Sequence, residues 1–362
     1  MSKEQCEKIT CAKKTSIGGQ ALIEGIMMRG PERTAMAVRD TDGEIVLEKW
    51  DNEKPKHAKI YKIPFVRGMF NFIASMKIGY KCLMRSAEIA GLEEEEPKKK
   101  KKDEEPKKKK KDEEQVIEES VEAAEVQTEK KEKKQESSDS LLMSVIMVIA
   151  TVLGVVLSVF LFIMLPSYIY KWLLEPFIHV ESKALTSLIK SVFEGVLKIA
   201  VLVAYMALVS LMKDIRRTFQ YHGAEHKTIF CYESGLELTV ENVRKQRRFH
   251  PRCGTSFLIL MLLVGMFFSF FIDPLFIWLT GDVAVTFVRV IIKILMLPLF
   301  MGVGYELIKL AGRHDNMFTR IISAPGMWLQ RITVREPDDS MIECAIKAFV
   351  EVIPEEQNKD SF

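Results

Sequence analysis

The chain has 362 residues, of which 48% are hydrophobic and 28% charged, and its formal net charge is +3. The charges are segregated: residues 93–139 hold 14 Lys against 18 Asp and Glu and no aromatic residue, whereas long stretches elsewhere carry no charge. This partition excludes a single soluble globular domain, and six cysteines scattered along the chain exclude a small disulfide-rich secreted domain.

Residues 1–92 predict a small cytoplasmic α+β unit. Two segments, 34–39 and 44–50, alternate apolar and polar side chains around Asp-Thr-Asp-Gly, a pattern typical of a β-hairpin. Glycines flank a further short strand predicted at 21–24. From 63 to 89 the apolar residues recur with helical spacing, and interrupting basic residues favour an amphipathic surface helix over a membrane span.

The segment 93–139 is predicted to be a disordered charged insert. It contains the sequence Glu-Pro-Lys-Lys-Lys-Lys-Lys-Asp-Glu twice, at 96–104 and 105–113, and it has few apolar residues to bury. Acidic residues flank each lysine block, so we expect a solvated spacer and no direct binding of nucleic acid.

Four apolar runs have the roughly 20 residues that a helix needs to cross a bilayer. They lie at 141–165, 192–212, 254–272 and 284–305. Lys and Arg concentrate before the first run, between the second and third, and after the fourth. The positive-inside rule therefore predicts cytoplasmic termini and a cytoplasmic connection between the second and third spans.

The expected fold is thus a mainly α integral membrane protein with four transmembrane helices and a small N-terminal α+β cytoplasmic unit. The transmembrane domain covers 140–312 and includes the cytoplasmic connection 213–253. A cytoplasmic tail, 313–362, ends in an amphipathic helix with its apolar face between 341 and 350. Within that tail, Ala-Pro-Gly at 324–326 predicts a turn.

Charged residues also occur inside the predicted spans. Glu194 with Lys198, and Arg289 with Lys293, are pairs four residues apart. We expect Glu194 or Asp273 to pair with Arg289 or Lys293, while a transport path lined by these charges is the alternative.

The densest chemical signal is the His-x-x-Glu-His pattern at 222–226. On a helix, His222 and His226 project from one face about 5–6 Å apart, which allows both imidazoles to bind one ion. Glu225 lies on the same side and could deprotonate a water activated by the metal, as the glutamate does in the inverted zinc-peptidase motif.

A second cluster supplies further metal ligands, His250 and Cys253. Zinc accepts nitrogen and sulfur ligands in a tetrahedron, and a catalytic site keeps one position open for water. Both clusters belong to the connection between neighbouring spans, so we expect them to meet at the cytoplasmic membrane surface. The predicted site holds a divalent metal ion, zinc by its donor set, on His222, His226 and either His250 or Cys253.

Other interpretations of these residues stay open. Glu306, near the end of the fourth run, is either an additional ligand or the ion-pair partner of a base such as Arg252 or Arg313. The histidines could instead contact lipid headgroups while Cys253 packs in a core. A metal with four protein ligands would be structural and not catalytic.

Three motifs resemble those of the bacterial YqhQ-type membrane family, a domain of unknown function. They are Gly-Gly-Gln-Ala-Leu-Ile-Glu-Gly-Ile-Met-Met-Arg-Gly at 18–30, Tyr-His-Gly-Ala-Glu-His-Lys at 221–227 and His-Pro-Arg-Cys-Gly-Thr-Ser-Phe at 250–257. The resemblance spans the chain except 93–139, and it implies a multi-pass protein of the bacterial plasma membrane labelled as a predicted metal-dependent enzyme. The residues that it carries over are His222, Glu225, His226, His250 and Cys253, with Glu24 and Arg29 as matched positions without a role.

The leading functional hypothesis is a metal-dependent membrane hydrolase with Glu225 as the general base. A site at the membrane surface would suit a membrane-protein or lipid-linked substrate. The competing hypothesis is a non-catalytic scaffold or tether, for a ribosome or another membrane complex, with a structural metal. Transport is the third.

Overall fold

The structure is a computed structural model that describes residues 14–52, 63, 66–91, 145–146, 148–281, 285–314 and 316–354. The predicted disordered insert lies outside these residues. The strands are β1 (Gly18–Leu22), β2 (Gly25–Arg29), β3 (Arg33–Arg39) and β4 (Ile45–Asp51). The helices are α1 (Val66–Ile89), α2 (Val148–Phe177), α3 (Lys183–Val209), α4 (Lys213–Glu233), α5 (Val240–Arg244), α6 (Gly254–Thr280), α7 (Thr286–Arg313), α8 (Met317–Thr333) and α9 (Asp339–Val350).

The strands form one antiparallel sheet in the order β1-β2-β3-β4. In the turn between β3 and β4, the N–H of Gly43 donates to the carbonyl of Asp40, and Gly43 adopts a φ of 87° that a side chain would strain. The strand expected at 21–24 proved to be two strands: the glycine-rich segment is itself β1, and the chain reverses at Glu24, whose φ is 47°, into β2.

Helices cover both faces of the sheet. On one face, Leu22, Met27, Met36 and Val38 pack against Cys82 of α1. The opposite face packs against α4 and α9 in a second core. Its fully buried members include Ile26, Met28, Ala35, Ala37, Tyr221, Ala224, Met341, Ile342 and Phe349. The N-terminal residues, the 213–253 connection and the C-terminal tail therefore share one core.

Four helices are long and apolar enough to cross a membrane. The segments are Val148–Phe177, Leu185–Val209, Gly254–Thr280 and Phe287–Ala311. Large apolar side chains on all four are exposed to the outside of the protein, which is the arrangement that hydrocarbon would favour. The residues of α2 before Tyr170 belong to a compact unit separate from the one that holds the sheet and the other helices.

Helix α1 packs on α7 with its first half and on the sheet with its second half. The guanidinium of Arg67 donates to both carboxylate oxygens of Glu306, at 3.0 and 2.7 Å. Asn71 donates to the hydroxyl of Tyr305, and Gly68 lies against the ring of Tyr305. Glu306 therefore forms an ion pair, as one interpretation predicted. Its partner is Arg67 of α1 and not Arg252 or Arg313, the two bases that the sequence suggested.

Helix α8 continues through the segment where Ala-Pro-Gly predicted a turn. Asn316 caps its first turn by accepting the N–H of Thr319 at 2.9 Å. At Gly326 a Cβ would lie 2.4 Å from that of Ser256, so the glycine lets α8 approach α6 closely. Packing against α6 outweighs the helix-breaking tendency of Pro325.

Candidate metal centre

Three potential metal ligands converge where α4 meets the start of α6. His222 and His226 lie one turn apart on α4, and Cys253 is the residue that caps the N-terminus of α6. One ligand atom from each of the three residues lies within 4.8 Å of the others. His226 and Cys253 are 1% and 5% exposed. The two distant stretches that the sequence picked out thus meet, through these three side chains.

Backbone carbonyls orient both imidazole rings. The Nδ1 atom of His222 lies 3.0 Å from the carbonyl of Thr333, and that of His226 lies 2.6 Å from the carbonyl of Arg248. An Nδ1–H that donates to a carbonyl leaves the Nε2 lone pair available for a metal. The Nε2 atom of His226 is buried and has no hydrogen-bond partner, so a cation would satisfy it.

Cys253 is held in an environment that favours its thiolate. Its Sγ atom accepts the N–H of Thr255 at the start of α6 and lies 3.1 Å from the Nε2 atom of His222. Burial alone would raise the pKa of Cys253, but His222 and His226 outweigh it and hold this pKa well below its usual value. For His222, burial alone would lower the pKa, but the neighbouring Cys253 thiolate outweighs burial and raises this pKa to about 9.

Glu225 lies beside the three ligands, and β1 fixes its carboxylate. The residue is 6% exposed, and its Oε1 atom accepts the N–H of Gly19 at 3.0 Å. A Cβ on Gly19 would lie 2.7 Å from the carbonyl of Met27 and 3.1 Å from the Glu225 carboxyl carbon, so only glycine fits there. Burial raises the pKa of Glu225. Among the described residues, Glu225 does not join the group of mutually close ligands.

His250 lies outside that group because its ring faces another buried network. Its Nδ1 atom accepts the N–H of Arg252, and its Nε2 atom lies 3.9 Å from Glu233. Its backbone N–H and carbonyl pair with the fully buried amide of Gln330, at 2.8 and 2.7 Å. Burial lowers the pKa of His250 to about 4. Of the two alternatives for the third ligand, the geometry favours Cys253.

Glu233 forms the centre of the network that holds His250. Its Oε1 atom accepts from the Arg252 guanidinium and from the N–H of Thr15, 2.8 Å away. Arg252 also donates to the carbonyl of Thr15 at 2.5 Å. Arg252, one of two bases considered for Glu306, is thus the partner of Glu233 and ties the segment before β1 to α4.

The two matched positions near the N-terminus lie away from the three ligands. Glu24 forms an ion pair with Arg217 and accepts from the hydroxyl of Tyr221, which connects the β1–β2 turn to α4. Arg29 lines an open cavity of about 460 Å³ on the side of the sheet that faces α1. Gly19 lines the same cavity, so the backbone that holds Glu225 forms part of its wall.

Several residues that build the site gave no signal in the sequence. Thr333 and Arg248 orient the imidazoles with their backbone carbonyls. Every residue has such a carbonyl, so the residue types at these positions do not predict the role. Gln330 is a polar residue far along the chain from the motifs, and Glu233 is a polar residue at the end of α4, two turns after the motif at 222–226. Their full burial identifies them, and burial depends on the fold.

The fold and the site define a mainly helical protein with four potential membrane-spanning helices and a buried His/His/Cys group beside a carboxylate. A family model described as "Protein of unknown function (DUF1385)" matches residues 63–355, and the chain belongs to this family. It is 32% identical over 340 residues to the "Uncharacterized protein YqhQ" of Bacillus subtilis (strain 168), covering 93% of this chain and 92% of that protein. No solved structure matches the chain. The resemblance of the motifs is thereby confirmed, although neither description names a metal or a reaction.

Proposed function

We propose that this protein is a metal-dependent hydrolase of the bacterial plasma membrane, with a zinc-type ion held by His222, His226 and Cys253. The observation that carries the proposal is the meeting of two imidazoles and a thiol from distant stretches of chain within 4.8 Å. The described part of the chain supplies three such ligands and not four. Three protein ligands with a fourth position open are typical of catalytic zinc, whereas structural sites are closed by four.

Glu225 is the general base in this proposal. A bound zinc ion would supply Lewis acidity and lower the pKa of water to about 7. The N–H of Gly19 fixes Oε1 of Glu225, and this leaves Oε2 to accept the proton and pass it to the leaving group. The carbonyls of Thr333 and Arg248 keep both imidazoles oriented, so the site needs little rearrangement before it reacts.

The position of the site supports a substrate that is attached to the membrane. Cys253 immediately precedes α6, and Thr333 ends α8, which packs on α6. If α6 spans the bilayer, the ligands lie at its surface, on the side where Lys and Arg concentrate. The substrate classes are therefore a membrane protein or a lipid-linked molecule cleaved at the cytoplasmic face.

A specific observation favours one second candidate, a cysteine nucleophile without a metal. The distance of 3.1 Å between the Nε2 atom of His222 and the Sγ atom of Cys253 is that of a nucleophile and its base. Cys253 also lies at a helix N-terminus, where a thiolate is stabilised. The buried, unpartnered Nε2 atom of His226 has no role in this alternative, and we therefore prefer the metal.

Metal content of the purified full-length protein tests the proposal. We expect about one equivalent of zinc in the wild type and in Glu225→Gln, His250→Gln and Cys231→Ser. Cys231 is the matched control because it is a buried cysteine of α4 outside the group of three. His226→Gln and Cys253→Ser should bind zinc at least tenfold more weakly. A wild type without bound metal would overturn the metal site.

The catalytic role is tested in a strain that lacks this protein. The lipids and membrane proteins that change in abundance on deletion should return to normal with the wild type and not with Glu225→Gln. Full restoration by Glu225→Gln, with zinc retained, would indicate a structural metal. Activity of metal-stripped protein that iodoacetamide abolishes at Cys253 would instead support the cysteine nucleophile.

A further inference from the structure

Two groups of polar side chains take no part in the proposed hydrolase. The charges on α3 and α7 pair with each other, as the sequence predicted, with the carboxylate of Glu194 3.7 Å from the ammonium of Lys293. The second group lines the open cavity of about 460 Å³ between α1 and the strands β1 and β2. Because its side chains are not used within the described part of the protein, this cavity is the stronger candidate for a ligand site.

The cavity depends on the absence of a side chain at Gly18. Gly18 lies directly opposite Arg29 in the pairing of β1 with β2, so both positions belong to the same face of the sheet. A Cβ at Gly18 would meet nothing within 4 Å, whereas a Cβ at Gly79 of α1 would lie 2.1 Å from the side chain of Gln20. Helix α1 therefore touches the sheet at Gln20 and leaves open space beside Arg29. Gly18 is exposed, so a ligand can enter at this point.

Four polar side chains line this space, and they come from both strands, from the residue before Ile17 and from α1. They are Ser16, Gln20, Arg29 and Ser75. Within the described part of the chain, none of them forms a hydrogen bond or an ion pair. Arg29 carries the only charge among the described lining residues, and its guanidinium has five N–H donors. The cavity thus offers several donors around one positive charge, a combination that suits an anion.

We propose that this cavity binds a phosphate group, with Arg29 as the ionic partner and the other three polar side chains as hydrogen-bond donors. Phosphate presents acceptor oxygens in several directions, and the planar guanidinium of arginine binds two of them at once. A carboxylate has two oxygens in one plane and matches donors from separate elements less well. Typical ligand pockets enclose about 300–1,000 Å³ and combine apolar walls with a few polar groups. Met27 and Ile78 supply apolar wall here.

The surroundings of the cavity favour a phosphate that is carried by a lipid. Phe72 of α1, three residues before Ser75, packs against Phe257 in the first turn of α6, with the ring centroids 5.4 Å apart. If α6 spans the bilayer, the cavity therefore lies close to the membrane surface. In the same turns α1 exposes the large apolar side chains of Ile73, Met76 and Tyr80. A water-soluble phosphate compound would offer Arg29 the same chemistry, and the experiment below separates the two sources.

The phosphate site does not depend on the proposed hydrolase. Gly19 is common to both, because its backbone lines the cavity and its N–H donates to Glu225. His222, His226 and Cys253 are not among the described residues that line the cavity. Phosphate binding can therefore be measured whether or not the protein holds zinc.

Binding of a short-chain phospholipid to the purified full-length protein tests the site. Dihexanoyl phosphatidic acid, dihexanoylglycerol, which lacks the phosphate, and glycerol 3-phosphate, which lacks the acyl chains, would each be titrated in detergent and followed by native mass spectrometry. We expect Arg29→Gln to weaken the binding of phosphatidic acid at least tenfold, because the ionic partner is lost. Gly18→Val should weaken it at least fivefold, because the new side chain fills space that is open beside Arg29. Arg33→Gln, at an exposed arginine of β3, is the matched control and should bind as the wild type does.

The three ligands distinguish the source of the phosphate from the existence of the site. Tighter binding of phosphatidic acid than of glycerol 3-phosphate supports the site with a lipid ligand, and equal or tighter binding of glycerol 3-phosphate supports it with a soluble one. If Arg29→Gln does not fold, Gly18→Val decides, because valine suits an extended strand. No preference for phosphatidic acid over dihexanoylglycerol, or wild-type affinity in either variant, would overturn the proposal. Zinc content should be the same in all variants, so a protein that binds phosphatidic acid but no zinc would refute the metal centre alone.

Discussion

Among the described residues, Glu233 is the carboxylate at the centre of the buried network next to the proposed metal ligands. It is 2% exposed and accepts from Arg252 and from the backbone of Thr15. A buried ion pair adds little net stability compared with apolar residues, but removing one partner leaves the other charge uncompensated. The network is therefore sensitive to single substitutions although its net contribution is small.

We predict that Glu233→Gln destabilises the protein by about 3 kcal/mol at pH 7, because Arg252 is left buried without its counterion. The change should appear as a lower apparent melting temperature in detergent. Glu343→Gln, an exposed position on α9, serves as the control and should have little effect. Equal melting temperatures of the two variants would show that Arg252 finds another partner.

The destabilisation caused by Glu233→Gln should depend on pH. Burial raises the pKa of Glu233, but His250 and Arg252 outweigh it and lower the pKa below its ordinary value of 4.5. The unfolded chain therefore binds more protons just below pH 4.5, and the contribution of Glu233 is present above that pH and lost as pH falls through the folded pKa. The difference in melting temperature between wild type and Glu233→Gln should be full at pH 7 and shrink below pH 4.5. A difference that grows on acidification would contradict this sign.

Residue type and spacing were sufficient to predict that the side chains of His222, His226 and Cys253 come together. They left His250 and Cys253 as alternatives, because the direction of a side chain in a loop depends on its tertiary partners. Here the buried amide of Gln330, 80 residues away in the sequence, fixes the backbone of His250 and turns its ring to Glu233. No local pattern carries that information.

At the scale of elements, helix α4 depends on a close approach of the chain after α8. A Cβ on Gly223 would lie 1.9 Å from the carbonyl of Arg335, so any side chain there must displace one segment from the other. His222 is the neighbouring residue, and its Nδ1 atom pairs with the carbonyl of Thr333, the last residue of α8 and two residues before Arg335. The position of this segment therefore couples the packing of α4 to the orientation of His222, a proposed metal ligand.

We predict that Gly223→Ala lowers zinc affinity at least tenfold and lowers the apparent melting temperature. Alanine favours helix over glycine by about 1 kcal/mol, so the loss would reflect the clash and not helix propensity. Gly254→Ala is the matched control, because a Cβ at Gly254 meets open space at the start of α6. Zinc content of both variants is the measurement, and full zinc binding by Gly223→Ala would refute the coupling.

Apolar elements were the easiest to predict, and their ends were the hardest. The four long apolar helices and the hairpin of β3 and β4 follow from hydropathy and alternation, whereas β1 and β2 were predicted as one strand. Helix α3 nevertheless begins at Lys183, nine residues before the apolar run expected at 192–212, because backbone hydrogen bonds continue where a hydropathy pattern stops at charges. Helix α8 was not predicted because Pro325 is typical of a helix end. The helix continues through Pro325 because it packs closely against α6 at Gly326.

At the scale of the whole molecule, the sheet and the helices α3 to α9 belong to one compact unit, and this constrains the topology. Helix α1 packs on the sheet at one end and on α7 at the other, so the sheet lies at the end of α7 that carries Glu306. If α7 crosses a bilayer, the sheet, α4 and the metal ligands must share one side of it. The segment between α2 and α3 must lie on the opposite side.

Labelling of single cysteines in intact bacterial cells tests this arrangement. Glu181 lies between α2 and α3, Lys245 lies between α4 and α6, and both are exposed. In a background with Cys6 and Cys11 replaced by Ser, a membrane-impermeant maleimide should label Glu181→Cys in intact cells. It should label Lys245→Cys only after the cells are permeabilised, because the Lys and Arg around that segment predict a cytoplasmic location under the positive-inside rule. The reverse pattern would place the metal centre on the outer face, and labelling of both cysteines in intact cells would exclude the four-span topology.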